Sequence, residues 1–220
     1  MSTLLLVATA FVLGAAHSFA PDHLAAIGVF VSRRPEWRRA VTIGAGWGVG
    51  HSLVIALVGS ALVLTGWRFP AHFAPTMERI VGVTLIVIGI VALTRAMRVH
   101  AHVHEHDGTL HWHLHSHRRT ESHDHSHRAA LGIGMLHGLA GTGALVIALP
   151  LAAADSVPLA LAYLVTFGIG TTFAMAAFGG IAGWVVRRAG RRSTLVVRAA
   201  ASFAALASVV VGVWWTLAAG

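Results

Sequence analysis

Leu13-Gly-Ala-Ala-His17-Ser-Phe-Ala-Pro21-Asp22-His23-Leu-Ala-Ala-Ile27 sets two imidazoles, a carboxylate and a proline inside an otherwise apolar run. Ionisable groups are expensive in hydrocarbon, so such a cluster at membrane depth is a functional site by default. Two imidazoles and a carboxylate suit a divalent transition metal. On an ideal helix, at about 100° per residue, His17, Asp22 and His23 do not share a face. Pro21 removes a backbone hydrogen bond and opens the helix, and that break is what lets the three converge. Carbonyls freed near Ala16 and His17 would then offer a helix C-terminal end to a cation. Pro21 also reads as a simple packing kink, and Asp22 as an N-cap of the second half-helix.

The membrane premise comes from composition. The 220 residues are 56% hydrophobic and 11% charged, too apolar for a water-soluble domain. Arg39 to Arg68, Arg128 to Asp155 and Asp155 to Arg187 each enclose a run without Asp, Glu, Lys or Arg. A spanning helix needs roughly 20 apolar residues, and each run provides them. Six helices are expected, over 3–31, 40–66, 79–98, 129–152, 157–186 and 199–219, the first broken near Pro21. The leading Met1-Ser-Thr-Leu-Leu-Leu lacks the positive residues of a signal peptide and is read as the start of the first span.

All 16 basic residues are arginine and the net charge is +8. They cluster at the ends of apolar runs, which argues against a nucleic-acid surface. In a six-span layout only Arg68 and Arg79 fall on one side. The positive-inside rule then puts both termini outside and the long polar loops in the cytoplasm of a cell (inner) membrane protein. There is no cysteine. Disulfides, thiolate metal sites and thiol relays are therefore excluded, including the chemistry of six-span electron carriers of similar layout.

The two halves match at a constant offset of 120 residues. Gly14-Ala-Ala-His17-Ser-Phe-Ala20 aligns with Gly134-Met-Leu-His137-Gly-Leu-Ala140, and Gly48-Val-Gly50-His51-Ser52 with Gly168-Ile-Gly170-Thr171-Thr172. With three helices per half, an odd number, the second half is inverted. The expected fold is an all-α polytopic membrane protein of two inverted three-helix repeats, 1–99 and 129–220, around a cytoplasmic segment 100–128. Inverted repeats hold substrate near the midplane at their interface.

His51 follows Gly44, Gly46, Gly48 and Gly50, and small residues let helices approach closely. That brings it towards the break in helix 1, with Ser52 placed to hold its second ring nitrogen or the ion's water. His137, the mate of His17, reads as a ligand or gate. Gly141, Thr142 and Gly143 stand where the first half has Pro21, Asp22 and His23. Thr171 and Thr172 either back-bond to their own helix or touch the permeating ion. The candidate metal set is His17, Asp22, His23, His51 and His137, with no prosthetic group and no catalytic residue. His72 reads as solvated surface.

Eleven of the chain's 16 histidines lie between His100 and His127, among Glu105, Asp107, Glu121 and Asp124. No apolar periodicity supplies a core there, so disorder is expected. The H-x-H alternation suits an extended chain that chelates in pairs, and dense histidine tracts bind metal loosely. A metal-collecting or sensing role follows.

The H-x4-D-H spacing of His17, Asp22 and His23, together with Gly50-His51-Ser52, resembles the nickel/cobalt transporter family and its shorter relatives, which include the urease-associated nickel permeases. The resemblance implies a secondary permease for Ni²⁺, and after it Co²⁺, working in uptake. It also implies a cytoplasmic metal acceptor or metallochaperone as partner. The donor set alone does not separate Ni²⁺, Co²⁺ and Zn²⁺; nickel comes from the resemblance. Longer family members have eight helices, so their outer helices do not map onto this chain. A second reading is efflux of the same ions for detoxification. The related exporters also carry His-rich loops but tend to lack the Asp-His pair, so Asp22-His23 favours uptake. An intramembrane metalloprotease would need a base beside the metal, as in H-E-x-x-H, and that motif is absent. The chain is therefore read as a transporter and not an enzyme; without lysine there is no Gly-Lys-Ser/Thr nucleotide loop, so any energy comes from a partner, the membrane potential or protons.

Overall fold

Proline, glycine and serine punctuate the apolar runs where the elements end. A computed structural model describes residues 3–33, 36–67, 70, 72–97, 100–106, 109–115, 126–153, 156–191 and 193–218. The described residues form seven helices: α1 (Thr3–His17), α2 (Pro21–Arg33), α3 (Trp37–Thr65), α4 (Phe73–Met97), α5 (Ser126–Ala153), α6 (Val157–Gly190) and α7 (Thr194–Ala218). Pro21 opens α2 at its first position, where a missing N–H costs nothing. Ser156 caps α6 by accepting from the Leu159 N–H at 3.3 Å. Gly66 ends α3 at φ 66°, a left-handed conformation that glycine adopts without strain, and its N–H bonds the Leu62 carbonyl at 2.9 Å.

The first span is broken as the sequence requires. Two helices, α1 and α2, meet at a 61° bend. The carbonyls there differ from expectation. Ala16 O and His17 O accept from the Phe19 and Ala20 N–H groups, each at 3.0 Å, so a tightened last turn satisfies them.

Four helices, α3, α4, α6 and α7, are long and apolar enough to cross a membrane, and the bent α1–α2 pair makes five. α5 is a further helix of 28 residues. The chain is a multi-pass membrane protein. Its outward faces carry large apolar side chains such as Leu57, Leu64, Phe173, Phe203 and Val210, all more than half exposed. Its interior holds glycine, alanine, serine, threonine and histidine beside the larger residues. This distribution suits lipid outside and close helix contact inside.

Apart from the helices, strands β1 (His100–His106) and β2 (Thr109–His115) pair antiparallel. The register sets His100 opposite His115, His102 opposite His113 and His104 opposite His111. From residue 100 the lack of apolar periodicity predicts disorder. Over this part the backbone is an extended hairpin instead, because the period-2 H-x-H pattern fits a strand. Residues 107–108 and 116–125 lie outside the described residues.

Helix α3 is the centre of the packing. It runs parallel to α5, with Trp47 beside Gly134 and His51 beside Gly138. It runs antiparallel to α6, with Ala40 beside Gly179 and Gly48 beside Thr172. α1 runs parallel to α6, from Ala10 with Tyr163 to Ser18, whose hydroxyl donates to Thr171 O at 3.2 Å. α4 and α7 are antiparallel, tied by Ser208 Oγ to Leu85 O at 2.8 Å.

These contacts come in reciprocal pairs. A Cβ at Gly14 would collide with the Phe167 carbonyl, and one at Gly134 with the Trp47 carbonyl. A Cβ at Gly50 would strike Leu131 O, and one at Gly170 would strike Phe11 O. Residues 120 apart even touch: Ser52 Oγ lies 3.3 Å from Thr172 Oγ1. A Cβ on Gly89 would fall 2.7 Å from Val209 Cγ2.

Overpacking a tight interface costs about 1–3 kcal/mol or more, and a branched side chain against backbone has no rotamer of escape. Gly50→Val should therefore lower thermal stability in detergent clearly, whereas Gly132→Ala, where a Cβ meets nothing within 4 Å, should not. Equal melting temperatures for both variants would contradict the packing.

Candidate metal centre

Four elements bring the candidate residues together. His17 ends α1, Asp22 and His23 lie in the first turn of α2, and His51 lies midway along α3. The bend puts the His17 and His23 rings 4.8 Å apart, centre to centre. His51 lies 5.4 Å from His17 and 5.0 Å from His23. One nitrogen from each ring falls within 4.8 Å of the others. His137, from α5, is 5.7 Å from His23. His23, His51, His137 and Asp22 are buried, and His17 is half-buried.

The hydrogen bonds orient these rings. His23 Nδ1 lies 2.8 Å from Asp22 Oδ2, so a neutral ring donates there and turns the lone pair of Nε2 inward. His137 Nδ1 lies 3.0 Å from Ile133 O, which likewise leaves Nε2 as the acceptor. Asp22 thus acts first on His23, as a carboxylate behind an imidazole. Among the described residues, His17 Nε2, His23 Nε2, both nitrogens of His51, His137 Nε2 and Asp22 Oδ1 are buried without a hydrogen-bond partner. Each such group costs about 1–3 kcal/mol.

Ser52 does not hold a nitrogen of His51. Its hydroxyl donates to Gly168 O at 2.9 Å and meets Thr172 across the α3/α6 crossing. It is a bond between helices because the glycine at 168 brings that carbonyl near. Thr171 back-bonds to Phe167 O at 3.0 Å and reaches Gly14 O at 3.1 Å. His72 is exposed. The side chain of Thr142 lies outside the described residues.

Two residues of the site were not singled out from the sequence. Trp47 is fully buried. Its ring stacks on His51 at 5.0 Å and 12°, and meets His23 at 4.6 Å and His137 at 5.3 Å. Its counterpart 120 residues on, Phe167, meets His17 at 5.6 Å. Gly141, the counterpart of Pro21, closes the other side. A Cβ there would lie 3.4 Å from His51 Cε1 and 3.8 Å from His17 Nε2. For Gly141 the repeat offset was the signal, since it stands opposite Pro21; for Trp47 the signal was an indole within the glycine run that leads to His51.

A family model described as the cytochrome c biogenesis protein transmembrane region matches residues 24–214. A urease accessory protein, UreH of Bacillus sp. (strain TB-90), is 27% identical over 168 residues, which are 76% of this chain and 72% of that one. The chloroplast protein FOR GROWTH AND FERTILITY 1 of Arabidopsis thaliana is 30% identical over 174 residues. That match takes in 77% of this chain but spans only 47% of the plant protein. No solved structure matches.

Trp47 supports three imidazoles at once, so its removal tests the wall of the site. Trp47→Ala should cost about 3–5 kcal/mol, as large-to-small changes in a packed interior do. Thermal unfolding in detergent and chelator reads this; an unchanged melting temperature would contradict the buried stack.

Proposed function

This chain belongs to the family of the cytochrome c biogenesis protein transmembrane region, and from that premise we propose that it is a secondary permease for divalent transition-metal ions. Ni²⁺ is its first substrate and Co²⁺ its second, in the direction of uptake. One observation carries the reading. His17, His23 and His51 aim ligand atoms into one buried spot within 4.8 Å of each other. Most of the nitrogens there lack any other partner. Unsatisfied imidazole nitrogens suit borderline divalent ions. A thiol relay would need cysteine, and the sequence has none.

The roles divide by geometry. His17, His23 and His51 are the ligands, and His137 is the next imidazole on the path. Asp22 holds His23 by Nδ1 and supplies the charge that offsets the cation. The choice of nickel rests on the resemblance of His17, Asp22, His23 and Gly50-His51-Ser52 to the nickel/cobalt transporters. The similarity to a urease accessory protein agrees with it.

The architecture proposed for this role is six spans in two inverted repeats, with α5 as the fourth. Its support is the reciprocal contact pattern at the 120-residue offset. In that pattern α3 and its counterpart α6 are antiparallel, as are α4 and α7. Arginine placement puts the termini outside an inner membrane and the His-rich segment in the cytoplasm. There it collects or senses metal and hands it to an acceptor.

Uptake of radioactive nickel into vesicles tests the assignment. His17→Ala, His23→Ala and His51→Ala should each abolish it with the protein still inserted, since few ligands are present to compensate. Asp22→Asn should weaken metal affinity by about 10–100-fold, the usual effect of losing an orienting partner. Wild-type uptake by all four variants would sink the proposal. Deletion of residues 100–127 should lower the metal retained per protein and leave flux intact; complete loss of transport in an inserted deletion variant would contradict the tuning role. In cells, loss of the gene should raise nickel tolerance, and a fall in tolerance would point to efflux.

A further inference from the structure

A second site lies away from the imidazoles, where α3 begins and α6 ends. A cavity of about 140 Å³ is lined there by Trp37 of α3, by Trp184, Arg187 and Arg188 of α6, and by Arg191, which caps the C-terminal end of α6. Arginines at a helix C-terminus are favoured by the dipole. That does not explain three of them around one concavity. Arg187 and Arg191 stand four residues apart, on one helix face, where like charges repel. Among the described residues no carboxylate forms an ion pair with Arg187, Arg188 or Arg191. The Arg188 guanidinium sits 6.0 Å from the Trp184 ring centre, a cation–π contact that leaves its N–H donors open.

The two indoles decide what kind of anion belongs here. Trp37 is 46% exposed and Trp184 57%, at the ends of spanning helices. Tryptophan is enriched at this depth because its ring sits at the headgroup level. We propose that this cavity binds the phosphate of an anionic phospholipid headgroup in the leaflet where α6 ends. Guanidinium forks take phosphate oxygens bidentately, and the indoles border the acyl boundary. Basic pockets between spanning helices take acidic headgroups in this way. α3 and α6 touch just beside the cavity, since a Cβ on Gly183 would lie 2.6 Å from Ala40 Cβ and 3.5 Å from Trp37 Cα. A lipid seated there contacts both helices at once. That the leaflet is the cytoplasmic one rests on the topology proposed above; the site itself does not.

Native mass spectrometry of the full chain in mild detergent, without metal, tests this. Phosphatidylglycerol should remain bound several-fold more than phosphatidylcholine. The Arg187→Gln/Arg191→Gln variant should lose that preference. Arg95→Gln removes a charge at the end of α4 on the same side and should keep it. Added inorganic phosphate should not displace the lipid. No preference in the wild type, equal loss in Arg95→Gln, or displacement by inorganic phosphate would overturn the proposal, the last by revealing a free-anion site. Should the double variant not purify intact, Arg187→Lys/Arg191→Lys keeps the charge without the forks. Reduced retention then supports the site, and undiminished retention overturns it. Retention is read without metal, so its failure leaves the imidazole centre untouched.

Discussion

The contact between α3 and its neighbours α5 and α6, backbone on backbone, is the constraint on which the rest of the molecule depends. Glycines at 50 and 134 leave no room for a Cβ on either side of the α3/α5 crossing. Association in lipid draws little from the hydrophobic effect, so close packing of small residues has to supply it. That approach carries His51 and Trp47 into the interior. The 61° bend between α1 and α2 carries His17 and His23 to meet them. Remove either feature and the imidazoles no longer share one spot.

Placing so many unpaired nitrogens in a dry interior is costly unless something binds them. Two of the rings are held in a defined tautomer, His23 by Asp22 and His137 by Ile133 O. His51 stacks on Trp47 and has no hydrogen bond to either nitrogen. Such an arrangement supports the proposed role of these imidazoles as a ligand set for a cation. Membership of the cytochrome c biogenesis transmembrane family therefore fixes the scaffold, while the chemistry at its centre is set by imidazole in a chain without cysteine.

Much of this was legible in the sequence, for identifiable reasons. Proline at 21 marks a break by a local rule, and the structure has it between His17 and Pro21. The offset of 120 carried positional information that propensity does not, and it pairs Trp47 with Phe167 and Gly141 with Pro21. What the sequence hid was side-chain direction. Ser52 follows His51, yet its hydroxyl turns to the Gly168 carbonyl, because the partner helix decides where a polar atom is satisfied. The same holds for the carbonyls at Ala16 and His17, each of which accepts a local turn bond. Composition marked the His-rich segment as coreless. It could not foresee that alternation would set its histidines opposite each other in a hairpin.

X-ray absorption at the nickel edge, on purified protein lacking residues 100–127 and loaded with one equivalent of Ni²⁺, tests the central claim most directly. The account predicts the outer-shell scattering pattern of several coordinated imidazoles, and its loss together with stoichiometric binding in His51→Ala. Oxygen-only coordination, or binding unchanged by that substitution, would contradict a buried centre of His17, His23 and His51.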